Sequence, residues 1–522
     1  MPCEPRGGYW KLRVIFMNTR IKKIQRYIAN HPVVSFAVAA ILAGALGAFA
    51  GPVVLGASVL SAALLTMAII SPSSLLFVLA LATPLEPFLL KFVPDEAYVF
   101  ARFFSEGIIY LLAAVAALRV LRGRARIPKT PTTVPFLAFL AVAALSMLVN
   151  QVPIGVGLLG IRQIVRYVIL FFAIVTLSPS RAVAQRILAA LFVVVGFESV
   201  LGIAQAIFPA HLDTLLLPSE RRFFESVQLT AGTSETWEPG TRVFGTLGRY
   251  DQLGTFLAFF LALAAGLLWE RAVPVRRMIL AAFFAAGGIA LLLTQSRASW
   301  FGFALALFVS GFFLKRDRRV LVAAMLTAAV LLGALFTTGV QPRYLAESPD
   351  ASFVERFFEA FSPARWRGEY DGLGRLYWAI VTPTVVVPAS PVFGFGPGRF
   401  GGGTAAALHV TDVYDALKIP FGVWGTEGHV DNNWFAIWGE VGTLGLLAYA
   451  LMVISLLRLA VSVFRTSKDP KLRGVALGYA GAVSAVIFQG FLGTYLEMRT
   501  LALYVWLIGA FLTVHENVER SM

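Results

Sequence analysis

Long uncharged runs of apolar residues recur along the chain, each bounded by a short polar or basic segment. Leu253–Trp269, Met278–Thr294 and Val320–Val340 carry no charge at all. A helix that crosses the hydrocarbon core of a bilayer needs about 20 mainly apolar residues, and these runs meet that length. Fourteen spans are expected, near 33–50, 52–70, 74–90, 104–120, 134–149, 161–177, 187–208, 253–269, 278–294, 298–314, 320–340, 434–457, 474–493 and 500–514. The first two meet at Gly51 and read as a hairpin. The third carries Glu86, and Arg162 and Arg166 open the sixth. Val33 onward reads as a retained first span, not a cleaved signal. Met17, inside the basic tail ahead of it, is a second candidate start for the chain.

Composition excludes an ordinary soluble enzyme. Of the 522 residues, 58% are apolar and 14% charged, with a mean hydropathy of +0.76; soluble domains have about 45–50% and about 25%. The expected fold is an all-α polytopic integral membrane protein. The net charge of +15 is not a nucleic-acid face, because Lys and Arg sit in short connectors between spans instead of on one continuous surface. With both ends inside, the inner segments hold 27 of the 44 basic residues and only 6 of the 29 acids, the bias of cytosolic loops. The only cysteine, Cys3, excludes an intramolecular disulfide and a thiolate metal site.

The resulting organisation is a cytosolic tail (1–32), membrane spans with an outer loop at 209–252 (33–340), a large outer loop (341–433), C-terminal spans (434–514) and a cytosolic tail (515–522). At 93 residues the large loop is too long for a passive connector. Within it, Phe353, Phe357 and Phe361 share one helical face, away from Glu355 and Glu359. This face fits a helix lying on the membrane surface and equally a helix packed on the rest of the loop.

Four stretches carry candidate chemistry. Arg297, in Gln295-Ser296-Arg297-Ala298-Ser299-Trp300, is held close to hydrocarbon, where a charge costs about 2.5–3.5 kcal/mol at the span centre. Its guanidinium fork suits phosphate oxygens, although an arginine snorkelling to lipid headgroups has the same pattern. Arg162 and Arg166 stack four residues apart on one helical face. Either a diphosphate or an intramembrane carboxylate such as Glu198 or Glu86 would relieve their repulsion. Gly374-Arg375-Leu376-Tyr377-Trp378 and the glycine-rich Pro391–Phe400 end the loop, where alternate glycines permit close backbone approach. Finally, Gly428-His429-Val430-Asp431-Asn432-Asn433-Trp434 leads into the twelfth span. There Glu440 needs a partner such as an arginine, and Gly442 and Gly445 allow a second helix to pack closely.

At these residues the chain resembles the O-antigen ligase and polymerase superfamily of bacterial cell-envelope glycosyltransferases. The family pattern, His-Asn followed after nine residues by Gly-x-x-Gly, is matched by Asp431-Asn432 and Gly442-Thr443-Leu444-Gly445. Leu293–Arg297, Gly374–Trp378, Pro391–Phe400 and Gly245–Gly254, which includes Arg249, resemble further family segments in the expected order. Asp431 stands where the family has histidine, and His429 is two residues out of register. That departure favours the polymerase side over the ligase side.

The resemblance implies a GT-C-like architecture in the bacterial inner membrane, with the active site facing the periplasm. It implies transfer of a glycan from undecaprenyl diphosphate to a glycan or lipid acceptor, inverting and without a metal or other cofactor. Asp431, Arg297 and Arg375 are the expected catalytic residues. Arg166, Arg162, Asn432, Trp378, Arg249 and Glu440 are expected to bind substrate. Membrane lipids, and a chain-length regulator or flippase, are the expected partners, with no nucleic acid. The rival readings are a ligase acting on lipid A–core or protein, a membrane glycosyltransferase using Asp95-Glu96, and a lipid-linked oligosaccharide flippase. Paired halves, the mark of many carriers, are not visible in the sequence.

Overall fold

The computed structural model describes residues 52–218, 223–224, 227–228, 240–272, 277–338, 352–422 and 427–521. The basic tail with Cys3 and Met17, the first expected span and much of the 209–252 loop lie outside them. Ten helices among the described residues are long and apolar enough to cross a membrane, and three shorter apolar helices accompany them. The protein is an all-α polytopic membrane protein, and its only described strands form a hairpin of two residues each at 223–224 and 227–228.

In chain order the helices are α1 (Pro52–Ile70), α2 (Pro72–Leu90), α3 (Asp95–Arg102), α4 (Phe104–Leu121), α5 (Thr133–Val149), α6 (Ile154–Leu177), α7 (Arg181–Ile207), α8 (Pro209–Leu216), α9 (Tyr250–Trp269), α10 (Arg277–Leu293) and α11 (Arg297–Leu307), which continues as a π-helical stretch to Leu314, then α12 (Arg318–Thr338). The large loop contributes α13 (Phe353–Glu359), α14 (Pro363–Asp371), α15 (Arg375–Val381), α16 (Gly403–Ala407) and α17 (Asp412–Leu417). The chain closes with α18 (Asn433–Thr466), α19 (Pro470–Gln489) and α20 (Arg499–Ser521). Several helices begin or end away from the hydropathy reading, and two of these bear on the site. α6 begins at Ile154, so Arg162 and Arg166 lie two to three turns inside it. α18 runs on to Thr466, because apolar runs locate the hydrocarbon layer and not the helix end.

α9 and α20 are the most enclosed of the described membrane-length helices, and α9 lies against α19 with almost no side chain between them. A Cβ on Gly266 would come within 2.2 Å of the Gly474 carbonyl oxygen, and one on Gly478 within 2.4 Å of the Ala262 oxygen. Small residues allow such approach where lipid supplies no hydrophobic force between helices. The starts of α4, α9, α11, α18 and α20 gather at one end of the bundle. Gln252 is 3.1 Å from Thr500, Arg499 is 3.2 Å from Ser105, Gln489 donates to the Ala298 carbonyl at 3.1 Å, and Asn433 accepts from Leu496 N–H at 2.8 Å.

The loop helices begin where their sequences supply caps. Ser352 and Glu355 form a reciprocal capping box on α13, and Ser362 caps α14 ahead of Pro363. α13 lies against α11, with Phe357 5.7 Å from Phe301 and Phe358 buried. Of the two expectations for the Phe357–Phe361 face, packing on the protein is therefore the one seen for Phe357, while Phe361 is exposed. Glu359, expected on the polar face, is completely buried.

The glycine motifs of the loop and of α18 explain each other. Gly442 breaks α18 with φ 67° and ψ −171°, which frees carbonyls on its N-terminal side. The glycine-rich segment lies in that gap: Phe395 N–H donates to Gly439 O at 2.9 Å, Gly396 N–H to Glu440 O at 2.8 Å, and Thr443 N–H to Pro391 O at 3.0 Å. Irregular backbone at membrane depth is tolerated only where protein satisfies it. Gly442 thus receives a loop and not the expected second helix; Gly445 alone faces one, near Val142 of α5.

An alanine at Gly442 would strain the backbone by about 1–3 kcal/mol and bring its Cβ to 2.3 Å from the Val392 oxygen. Gly442→Ala should therefore lower Tm in detergent by several degrees. Gly333→Ala, which meets nothing within 4 Å, should leave it unchanged. Equal melting of both variants would show that the break is not required.

Candidate functional site

The last turn of the large loop brings Asp431 and Arg375 together. Arg375, at the start of α15, donates through Nε to Asp431 Oδ2 at 2.8 Å, and the Asp431 side chain remains 48% exposed. The Asp431 carboxylate outweighs burial and holds the Arg375 guanidinium above its ordinary range. The Arg375 backbone N–H is in turn fixed by Glu369 Oε2 at 3.2 Å.

Arg297 approaches from the membrane body. Its Nη1 donates to Glu359 Oε2 at 2.7 Å, and Arg365 donates to Glu359 Oε1 at 3.0 Å. Arg356 stands 3.9 Å from the same carboxylate. Arg297 and Arg375 are close enough to repel each other electrostatically. Arg249 forks onto Asp251 with two contacts of 3.1 Å. Asp251 first, and Asp431 more weakly, raise Arg249 against the effect of burial. His429 is exposed and feels both Asp431 and Arg249.

Beside this group lies a cavity of about 310 Å³ lined by Arg102, Arg166, Arg249 and Arg499, with Glu86 and Glu497 among its walls. Arg166 donates to Glu106 Oε1 at 2.8 Å and to the Glu497 carbonyl at 2.9 Å, and Arg162 is also paired with Glu106. The carboxylate that separates Arg162 from Arg166 is therefore Glu106, not Glu198 or Glu86. Glu86 is paired with Arg499 and lies 3.8 Å from Arg102, while Glu198 accepts from Thr246 N–H at 3.1 Å. Burial raises the Glu497 carboxyl above its ordinary value, while the hydrogen bond from Gln163 and the charge of Arg166 act the other way.

Three expected binding residues occupy structural positions. Trp378 is 1% exposed in the core of the loop, edge-on to Phe400 at 5.9 Å, so its indole face cannot stack on a glycan. Asn432 caps α18 by accepting from Phe435 N–H at 3.1 Å and donates to the Phe491 carbonyl at 3.2 Å. Glu440 is buried and accepts from Gly398 N–H at 3.1 Å. A glycine amide fills the place where an arginine was expected. Asp95 and Glu96 lie exposed in the first turn of α3.

Sequence reasoning passed over Glu106, Arg365, Glu369, Arg102 and Arg499, and it assigned Glu359 only to a polar helix face. A carboxylate in the first turn of an apolar span, as at Glu106, was the available signal for one of them. The rest became visible only when the loop was folded. Among the described residues, no group of three His, Cys, Asp or Glu is placed to hold a metal ion.

No curated protein matches the chain. Residues 280–450 match the family model described as O-antigen ligase, a stretch that contains Arg297, Arg375, Asp431 and Glu440 but begins after Arg162, Arg166 and Arg249. Together with the membrane-length helices, this match supports a multi-pass bacterial membrane enzyme that processes glycans, similar over these residues to the O-antigen ligase and polymerase superfamily.

Proposed function

We propose that the protein transfers an oligosaccharide from undecaprenyl diphosphate to an acceptor hydroxyl at the periplasmic face of the inner membrane, with both chain ends cytosolic. The acceptor is a second lipid-linked repeat unit, which makes the enzyme a polymerase of O-antigen or exopolysaccharide type. The reaction inverts the anomeric centre and uses no metal. The observation that carries this reading is the half-exposed Asp431 carboxylate beside Arg375, within the electrostatic field of Arg249 and close to Arg297.

In the proposed step the acceptor oxygen attacks the anomeric carbon, and the bond from that carbon to the diphosphate oxygen breaks. The acceptor proton passes to Asp431, and the electron pair leaves with the diphosphate. Fixed guanidiniums stabilise that developing charge without reorganising at the moment of reaction. Arg297 and Arg375 supply them, and the cavity with Arg166 and Arg249 holds the lipid diphosphate. Because Asp431 is half-exposed and held in place by Arg375, orienting the acceptor is a large part of its contribution. Asn432 acts indirectly, by fixing the start of α18 beside Asp431. The ligase reading keeps its place because the matched family is described by that activity; it differs only in its acceptor, lipid A–core or protein.

Purified protein with a synthetic undecaprenyl-diphosphate oligosaccharide in EDTA should yield a ladder of longer lipid-linked glycans from the donor alone. Product that appears only after lipid A–core is added would make the protein a ligase, and dependence on added metal would refute the metal-free step. Asp431→Asn should lower the rate about 10²–10⁴-fold, the usual worth of a positioned acid or base, with unchanged Tm. Wild-type turnover in that variant would remove Asp431 from the mechanism. Arg297→Ala should cost far more than Arg367→Ala, which alters an exposed residue of α14. Equal losses would point to diffuse electrostatics instead of a site.

A further inference from the structure

Six charged groups of alternating sign connect the membrane body to Asp431. Arg297 is paired with Glu359 at 2.7 Å, Glu359 with Arg365 at 3.0 Å, and Arg365 with Glu369 one turn along α14. Glu369 then holds the backbone N–H of Arg375 at 3.2 Å, and Arg375 is paired with Asp431 at 2.8 Å. The row starts on α11, crosses α13, α14 and α15, and ends two residues before α18. Its inner members are shielded from water: Glu359 is fully buried, and the Arg365 and Glu369 side chains are 18% and 15% exposed.

We propose that Glu359 and Glu369 are positioning residues, which fix Arg297 and Arg375 relative to one another through this alternation of charge. Glu359 joins the loop to the membrane body, and Glu369 sets the start of α15. For its effect on turnover this rests on the glycosyl-transfer reading; for the geometry of the loop it does not.

The physical argument lies in what each acid separates. Without the Glu359 charge, Arg297 and Arg365 lose the carboxylate to which both donate, and removing one partner of a buried pair is strongly unfavourable. Burial alone would raise the Glu369 carboxyl, but Arg375 and Arg365 hold it below the ordinary carboxylate value. That acid therefore stays charged near neutral pH. Its contribution to loop docking is present above the unfolded carboxylate pKa and fades as pH falls through the lower folded value. A shift of about 1 Å in a positioning group can cost on the order of a hundredfold in rate.

The test compares charge with shape. Glu359→Gln keeps the shape and removes the charge, whereas Glu359→Asp keeps the charge and shortens the side chain. Full-length variants in nanodiscs are assayed for kcat and KM with the synthetic lipid-linked oligosaccharide, with Asp371→Asn, an exposed acid at the end of α14, as control. Glu359→Gln should lose about 30–100-fold in kcat, Glu359→Asp should retain most of it, and the control should match wild type. Spin labels at Arg367→Cys and Leu148→Cys, in a Cys3→Ser background, report loop placement independently of turnover. Their distance distribution should broaden in Glu359→Gln and stay narrow in Glu359→Asp. Glu369→Gln, at a less buried position, repeats the comparison if Glu359→Gln does not fold. A glutamine variant as active as wild type, or glutamine tolerated better than aspartate, would overturn the proposal. If wild type itself makes no product, the transfer reading fails, and the label distances still decide: unchanged distributions in the glutamine variants overturn the row.

Discussion

A polar group carried to the level of a membrane helix finds no water there, and the arrangement of this protein's candidate site follows from how each such group is satisfied. Glu106 stands between Arg162 and Arg166, Glu86 is paired with Arg499, and Glu440 takes an amide of the glycine-rich segment. Each solution ties two elements that are distant in sequence. The same requirement governs the backbone, since the carbonyls released at Gly442 are taken up by Phe395 and Gly396. The large loop is thus stitched to the membrane body by polar contacts that would be too costly to leave unmade.

The membrane helices were legible because the apolar runs have a length set by the bilayer and not by neighbouring helices. From the second span on, the expected runs coincide with helices, whose ends shift by up to nine residues, as at Ile154 and Thr466, because a helix can continue past the hydrocarbon layer. The site was legible in part. Asp431 and Arg375 are 56 residues apart and meet in the folded loop, and their motifs had singled out both. The partners of the charges were not legible. Choosing Glu106 over Glu86 or Glu198 for Arg162 and Arg166 requires the helix packing, which no local pattern encodes. Trp378, which the resemblance put among the substrate-binding residues, shows the same limit: the loop needs its own core, and Trp378, Phe400 and Tyr414 form it.

The aspartate in place of the family's histidine changes the local chemistry. A neutral imidazole beside Arg375 would offer a single acceptor nitrogen and no opposite charge. A carboxylate forms an ion pair with it, and the guanidinium is held charged in return. An anionic donor would compete with Asp431 for the same guanidinium, so donor binding and the release of the base are coupled in the proposed reaction. This coupling follows from the pair's geometry and holds for either acceptor class.

The break at Gly442 also fastens one continuous helix to the loop on both of its sides. Before it, Gly439 and Glu440 accept from the glycine-rich segment; after it, Thr443 and Leu444 donate to Pro391 and Val392. Asn433 and Trp434, at the start of α18, donate in turn to Gly490 and Ile487 at the end of α19. A bilayer thicker or thinner than the hydrophobic length of α18 is met by helix tilt, and bonds on both sides of the break carry the loop along with the helix. Lipid thickness and the alignment of the reacting groups are therefore coupled through Gly442.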